Sequence, residues 1–554
     1  MASSLDRNKW LLLGSSLGVL VLLVVAALGE SVWLEWRQVQ GRITIDGAPA
    51  PVRLRQVVNP ALGVADRCVS CHVSMAAGEQ NAAGPGMTTH PAVVHDPAEI
   101  GCTPCHGGQG RATTKADAHG TVPFWPEPML PARSTEAGCG TCHAASGIPQ
   151  RAGLDRWAAT FERLDCRACH RVDGRGGTIR PDGGGMEGPD LSRVGLAGFA
   201  ATWYPAHAAA AAVATDGPWR TSWGALSEAD RAEVEQYLKT RVAAPQLIAA
   251  KATFLSAGCL GCHKVSGVGG DDGPDLTRAG EKDPGRADFT AVPGARTLDN
   301  WFDQHVRTPA SVVAGSQMPA LRLTDAEVDD LSLFTLSLRR RDVAGSYLPR
   351  DRMRVARFGE REFASDGATL FGAFCAGCHG RDGLGLRAVG VATFPSVANP
   401  DFLAVAPDAL VAETIRRGRP GRRMRAWSDP ATGLRDQDVP RLVAHLRALA
   451  GTAAPVDSRP ARWATGDRAE GERLFERICS GCHGARGEGL DAPALNNPVL
   501  LAAATDTYFT ETIARGRRGT GMVAFTEPSP THPTLTRAEI ESIVTFIRSW
   551  GGQP

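Results

Sequence analysis

Fourteen cysteines are spread along the 554 residues, and every one falls in a Cys-x-x-Cys-His unit. The units are Cys68/Cys71/His72, Cys102/Cys105/His106, Cys139/Cys142/His143, Cys166/Cys169/His170, Cys259/Cys262/His263, Cys375/Cys378/His379 and Cys479/Cys482/His483. Two thiols three positions apart on one helical turn can meet the two vinyl groups of a porphyrin, and the adjacent histidine can swing its imidazole under the iron. A single unit could equally be a zinc half-site or a redox dithiol. Seven units that exhaust the cysteines leave no thiol for those uses or for a disulfide framework. The chemistry implied is covalent attachment of seven haems, each taking its first axial ligand from the histidine of its own motif.

The sixth ligands must come from elsewhere. Between residues 67 and 150, which hold three motifs, the histidines outside the motifs are His90, His95 and His119. Three irons and three spare imidazoles predict bis-histidine ligation, with the pairing left open. Met75, Met87 and Met129 could substitute, and are read as apolar fill around the porphyrins.

Several elements must hold this chemistry in place. Residues 10–29 form an uncharged, Leu/Val-rich run long enough to cross a bilayer as a helix. Arg7 and Lys9 precede it, so the positive-inside bias puts the rest of the chain on the far side, the periplasm of a bacterial inner membrane. A cleaved signal peptide is the competing reading, with Ala27 and Gly29 as small residues at the cut. The length of the run, and Trp33 and Trp36 as interfacial anchors after it, favour an uncleaved anchor. Ile43–Ile45 and 52–57 are short β-type runs around Asp46-Gly47, which predicts a hairpin stalk. Residues 67–150 are too few to build an ordinary core around three motifs, so the haems must supply much of the buried surface and lie close together.

Beyond residue 150 the sequence repeats at intervals of about one hundred residues. Gly188-Pro189-Asp190-Leu191 after the fourth motif matches Gly273-Pro274-Asp275-Leu276 after the fifth, and Trp203/His207 matches Trp301/His305. Ser227 and Thr324 are predicted caps of a closing helix in each copy. In the second pair, Gly367-Ala-Thr-Leu-Phe before Cys375 matches Gly471-Glu-Arg-Leu-Phe before Cys479, and Thr414-Ile-Arg-Arg-Gly matches Thr512-Ile-Ala-Arg-Gly. Residues 339–366, charged and weakly periodic, read as a linker. The expected order is an anchor at 1–30, a stalk at 31–66, a triheme module at 67–150 and four units at 151–244, 245–345, 346–455 and 456–554. The fold class expected is mainly α. Sixty basic against 59 acidic side chains, net +1, supply no field for nucleic acid. No phosphate loop, nucleophile elbow or zinc spacing suggests a second active site.

Residues 151–554 resemble four tandem class I cytochrome c domains: an apolar helix with Phe, the haem motif, a Gly-Pro or Gly-x-Gly loop, a late methionine and a closing helix. That resemblance implies small all-α folds, each around one haem, with Met318, Met424 and Met522 as distal ligands of haems five, six and seven. The fourth unit has no methionine between Met186 and Met318. His207, a residue from elsewhere, or an open iron remain as alternatives there, with Met186 the poorest placed. Residues 67–150 resemble membrane-anchored multihaem cytochromes of quinol-linked electron transfer, on haem density, the anchor and the run from Cys102 to Arg111.

Methionine favours reduced iron relative to imidazole, so the His/Met haems should lie at higher potential than the bis-His haems. The expected function is a relay from a quinol-linked donor, such as a cytochrome b-type subunit, to a redox protein acceptor. An enzyme with an open fourth haem acting on peroxide or a nitrogen oxide, a quinol dehydrogenase, and a subunit without chemistry of its own are the alternatives. The arginines at 416, 417, 419, 422, 423 and 425 around Met424, and at 515, 517 and 518 around Met522, could dock an acidic partner or pair with haem propionates.

Overall fold

A computed structural model describes residues 4–551, except 89, 91–92, 94, 144–145, 169, 178–187, 198–225, 340–342, 387–393 and 531. Helix α1 (Ser4–Val32) carries the apolar run; its segment from Asp6 to Gly29 is long and apolar enough to cross a membrane, and none of it is buried by the rest of the chain. Trp33 is exposed, but Trp36 is buried in the stalk, so only the first of the two is placed to act as an interfacial anchor. The predicted hairpin forms with a different second strand. β1 (Thr44–Ile45) turns at Asp46-Gly47, both at positive φ, into β2 (Ala48–Pro49), while residues 52–56 run without strand pairing. The Asp-Gly pair favours a two-residue loop, which closes the hairpin sooner than the more apolar run at 52–57 suggested. Val57 instead begins β3 (Val57–Asn59), which pairs antiparallel with β4 (Val64–Asp66), and β1 also takes β5 (Ala82–Ala83) on its other edge.

The rest is mainly helical, with one short antiparallel strand pair at Lys264–Val265 and Val268–Gly269, and the repeats become a recurring crossing of an opening helix with a closing one. In the fourth unit α2 (Arg151–Arg163) packs on α3 (Glu228–Lys239) around Trp157, Phe161 and Tyr237. In the fifth, α4 (Pro245–Ala257), with α5 (Leu298–Arg307) following, packs on α6 (Asp325–Ser337). The predicted caps are present: Ser227 Oγ accepts from Asp230 N, and Thr324 forms a reciprocal capping box with Glu327.

A further helix, α7 (Arg350–Phe358), lies in the stretch read as a linker. The sixth unit then runs α8 (Gly367–Phe374), α9 (Pro400–Val405), α10 (Asp408–Arg417) and α11 (Val439–Ala450). The seventh repeats it as α12 (Arg468–Leu474), α13 (Pro498–Ala503), α14 (Asp506–Arg515) and α15 (Arg537–Arg548). The matched glycines Gly367 and Gly471 sit where the opening helix crosses the closing one. A Cβ at either would overlap the carbonyl oxygen of Arg441 or Ser542.

Candidate haem sites

The motifs fold as short helical turns, in Cys68–Ser70, Thr103–His106, Cys166–Ala168, Cys259–Gly261, Ala376–His379 and Ser480–His483, and the third at the end of the kinked Ala132–Thr141. In the first six the histidine N–H donates to the carbonyl of the first cysteine, at 2.8 to 3.0 Å. Where both cysteines are described, that bond winds the two thiols onto one face and sends the imidazole back across it. No disulfide forms among the described cysteines, and no cluster of His, Cys, Asp or Glu among the described residues could cage a metal. Burial pushes the Cys139, Cys259, Cys375 and Cys479 thiols up to about 12, away from the thiolate that a zinc site or redox dithiol requires.

Cys482 departs from this pattern. Alone among the described cysteines it is exposed, whereas Cys479 of the same motif is half-buried against the core. The difference lies in what faces each turn. In the sixth motif Gly377 meets the Gly258 backbone and Cys378 meets Cys262, so the fifth motif covers it. At the equivalent Gly481 a Cβ would have open space around it. The seventh turn is therefore held by its own loop, the Cys482 carbonyl accepting from Leu490 N at 3.2 Å and Ala492 N at 3.1 Å. The expectation that Cys482 anchors a haem thus rests on the local motif.

The histidines of the last four motifs are held alike. Nδ1 of His170 meets the carbonyl oxygen of Pro189 at 2.9 Å, His263 that of Pro274 at 2.8 Å, His379 that of Pro395 at 2.8 Å and His483 that of Pro493 at 2.9 Å. A carbonyl can only accept, so Nδ1 carries the proton and Nε2 keeps the lone pair that a metal takes. Burial lowers His379 and His483 below the usual imidazole range and keeps them neutral, the form that ligates.

Between residues 67 and 150 the structure brings a spare histidine to two of the three motif histidines. The rings of His90 and His106 lie 6.2 Å apart and those of His95 and His143 6.1 Å apart. His72 is lowered by burial and then by the charge of His119. A metal bonded to two imidazoles at about 2 Å each separates their ring centres by roughly 6 Å. The spacing of both measured pairs therefore fits an iron between them.

Met424 and Met522 sit in matching loops, half-buried against the core, with the Met424 carbonyl accepting from Arg419 N and that of Met522 from Arg517 N, both at 2.7 Å. Met318 is half-buried in its own loop, its N–H donating to Ser316 Oγ. His305 stacks on Trp301 at 4.8 Å, and its buried Nδ1 has no hydrogen-bond partner. Burial, Lys282 and His263 push it down to about 4. Cys169, Met186, Trp203 and His207 lie outside the described residues.

The cytochrome c family profile matches residues 248–339 and 468–551, and that of the cbb3-type cytochrome c oxidase subunit III matches residues 362–446. Each matched segment carries one of the motif turns and its proline-held histidine. The chain is a multihaem c-type cytochrome. Its cytochrome c domains imply covalently bound haem c. The cytochrome is 29% identical over 196 residues to the cbb3-type oxidase subunit FixP of Bradyrhizobium diazoefficiens, a match covering 34% of this chain and 60% of that one. It is 28% identical over 204 residues to subunit CcoP of an Azospirillum species, covering 34% and 62%. The cytochrome thus spans about three-fifths of the length of these relatives. Among solved structures, a reducing HAO-like protein complex of Kuenenia stuttgartiensis aligns with 33% of the chain and 94% of its own at 16% identity, with a TM-score of 0.23.

The arginine cluster is largely engaged within the cytochrome. Arg423 pairs with Asp272 at 3.3 Å and Arg425 with Asp271 at 2.7 Å, tying the sixth unit to the fifth. Arg518 pairs with Asp401, and Asn399 donates to the Arg518 carbonyl while Asn497 donates to that of Pro420. Those two asparagines are the N-caps of α9 and α13, so the sixth and seventh units meet through equivalent surfaces. Arg419 lies deep at this junction beside Arg517, whose guanidinium donates to Tyr508 Oη at 2.7 Å. Adjacent guanidiniums in a half-buried site suit an anion between them, such as a haem propionate.

Pro395, Pro493 and the buried Asp351 escaped the reading from sequence. The prolines had a usable signal, the fourth and fifth motifs being followed by Gly-Pro. Asp351 had none, since its stretch reads as a charged tether. In the structure Asp351 faces His143, Arg352 donates to the carbonyls of Gly140 and Cys142, and Tyr347 Oη accepts from Asn59 Nδ2. The stretch is a strap over the third haem motif.

Proposed function

We propose that this cytochrome carries seven haems and relays electrons from a quinol-linked membrane donor, through three bis-His haems, to higher-potential His/Met haems and a redox protein acceptor. The two imidazole pairs at 6.1 and 6.2 Å are the observation that carries this reading. On it, haem two is ligated by His106 and His90, haem three by His143 and His95, and haem one by His72 and His119. Met318, Met424 and Met522 serve haems five to seven, and His207 is the candidate for haem four. All fourteen motif cysteines form thioethers, the exposed Cys482 included, because attachment needs the turn rather than burial. The iron supplies reversible one-electron chemistry at the potential its ligands set.

The packing of the motifs supports a continuous path. Gly138, just before the third motif, lies against the Cys105 backbone, and the Cys262 and Cys378 sulfurs are 3.9 Å apart. Helix α1 serves as the membrane anchor, with the haem units in the periplasm, and the named role of FixP and CcoP as oxidase subunits favours membership of a larger respiratory complex. Intact-mass analysis of natively matured protein should show seven haem additions. Potentiometric titration should place the three amino-terminal haems below the last three; the opposite order would overturn the relay.

A further inference from the structure

The described motif histidines of the class I units share one kind of support, a proline carbonyl, whereas His143 has another. Its Nδ1 is fully buried and makes no hydrogen bond, yet Asp351 Oδ2 faces it at 3.6 Å, the two side chains being 7% and 4% exposed. The approach of Asp351 is fixed from both sides: α7 carries it, and its neighbour Arg352 is tied to the backbone of the third motif at Gly140 and Cys142. A movement of less than about 1 Å turns this pair into a charge-assisted hydrogen bond of ordinary length.

Other charges surround the pair. Lys251 Nζ binds Glu362 Oε2 at 2.5 Å, Arg352 lies 3.7 Å from the same Glu362 carboxylate, and Lys251 also senses Asp351. Two acids and two bases leave the cluster near neutrality, so its net field on the third haem is small. What remains is the pull of a carboxylate on the imidazole N–H. That pull makes Nε2 a stronger donor and stabilises ferric iron more than a neutral carbonyl does.

We propose that Asp351 is a positioning residue for His143 and makes the third haem the lowest-potential of the seven. The inference rests on the seven-haem reading above. The third motif also packs against the closing helix of the fifth unit, where Gly140 meets Ser337. The lowest-potential haem therefore stands at the junction of the triheme module with the class I units, so electrons entering the triheme module meet an uphill step before they cross.

The test uses full-length, haem-loaded protein, with haem stoichiometry measured on every sample. Asp351→Asn, which keeps the volume and loses the charge, should raise one midpoint potential and leave six in place. The same haem should change its ferric low-spin resonance, and Asp351→Glu should restore both. Seven unmoved potentials in Asp351→Asn, or movement of a haem other than the one His143 ligates, would overturn the assignment. If Asp351→Asn yields no folded protein, the wild-type spectrum decides. One low-spin haem with the signature of a strongly hydrogen-bonded, imidazolate-like ligand, titrating last on reduction, supports the proposal, and its absence refutes it. Fewer than seven haems in wild type would instead count against the underlying reading.

Discussion

At the scale of single residues, ligand identity is read most directly from spin state. His90→Ala and His95→Ala should each convert one low-spin haem, the second and the third respectively, to a high-spin form seen by electron paramagnetic resonance. No such conversion would break the imidazole pairing. For the fifth haem, Met318→Ala is expected to produce a high-spin iron and His305→Ala to leave it low-spin; the reverse would make that haem bis-His. Glu79 offers a pH test in the stalk. Burial alone pushes its carboxyl up, but hydrogen bonds from Arg55 and Arg53 outweigh that and hold it below the usual range. A carboxylate with a depressed folded pKa stabilises above its unfolded pKa of about 4.3, and the contribution is lost as pH falls through the folded value. The Glu79→Gln variant should therefore lose less stability than wild type between neutral and acidic pH, measured by thermal melts.

Between elements, the junctions are made by backbone approach where a side chain would intrude. Gly258, at φ +78°, and Gly377 face each other across the contact between the fifth and sixth motifs, and a Cβ on either would overlap the backbone of the other. The Gly377→Ala change should cost about 1–3 kcal/mol in denaturant titration, as overpacking does. Because the Cys262 and Cys378 sulfurs meet at this contact, electron transfer between haems five and six should also slow. The same logic made part of the architecture legible beforehand. The paired glycines at 367 and 471, the caps at Ser227 and Thr324 and the Asp46-Gly47 turn are local signals, and the structure uses each of them. Three features had no such signal. The second strand of the stalk hairpin follows turn geometry rather than the apolar run, and α7 is tied to the third motif by contacts that leave no local periodicity. The exposure of Cys482 depends on which turn another motif happens to cover, which the shared Cys-x-x-Cys-His pattern does not distinguish.

For the whole molecule, the salt links of Arg423 and Arg425 to Asp272 and Asp271 assign those arginines to an internal junction. Neutralising them should loosen the fifth unit from the sixth, seen as increased protease cleavage between the two, with little effect on the salt dependence of electron delivery to a soluble acceptor. A large fall in that salt dependence would return them to the docking role.

What the sequence set out alone is the order of the Cys-x-x-Cys-His units along the chain and the covalent chemistry expected of them. A Cys-x-x-Cys-His unit is complete within five residues, and its function needs one helical turn and nothing distant. The tertiary structure decided which imidazole meets which, and that Asp351, from a stretch with no pattern of its own, lies against His143. Those contacts join residues far apart in the chain, where spacing carries no information and only the packing of one module on another selects the partner.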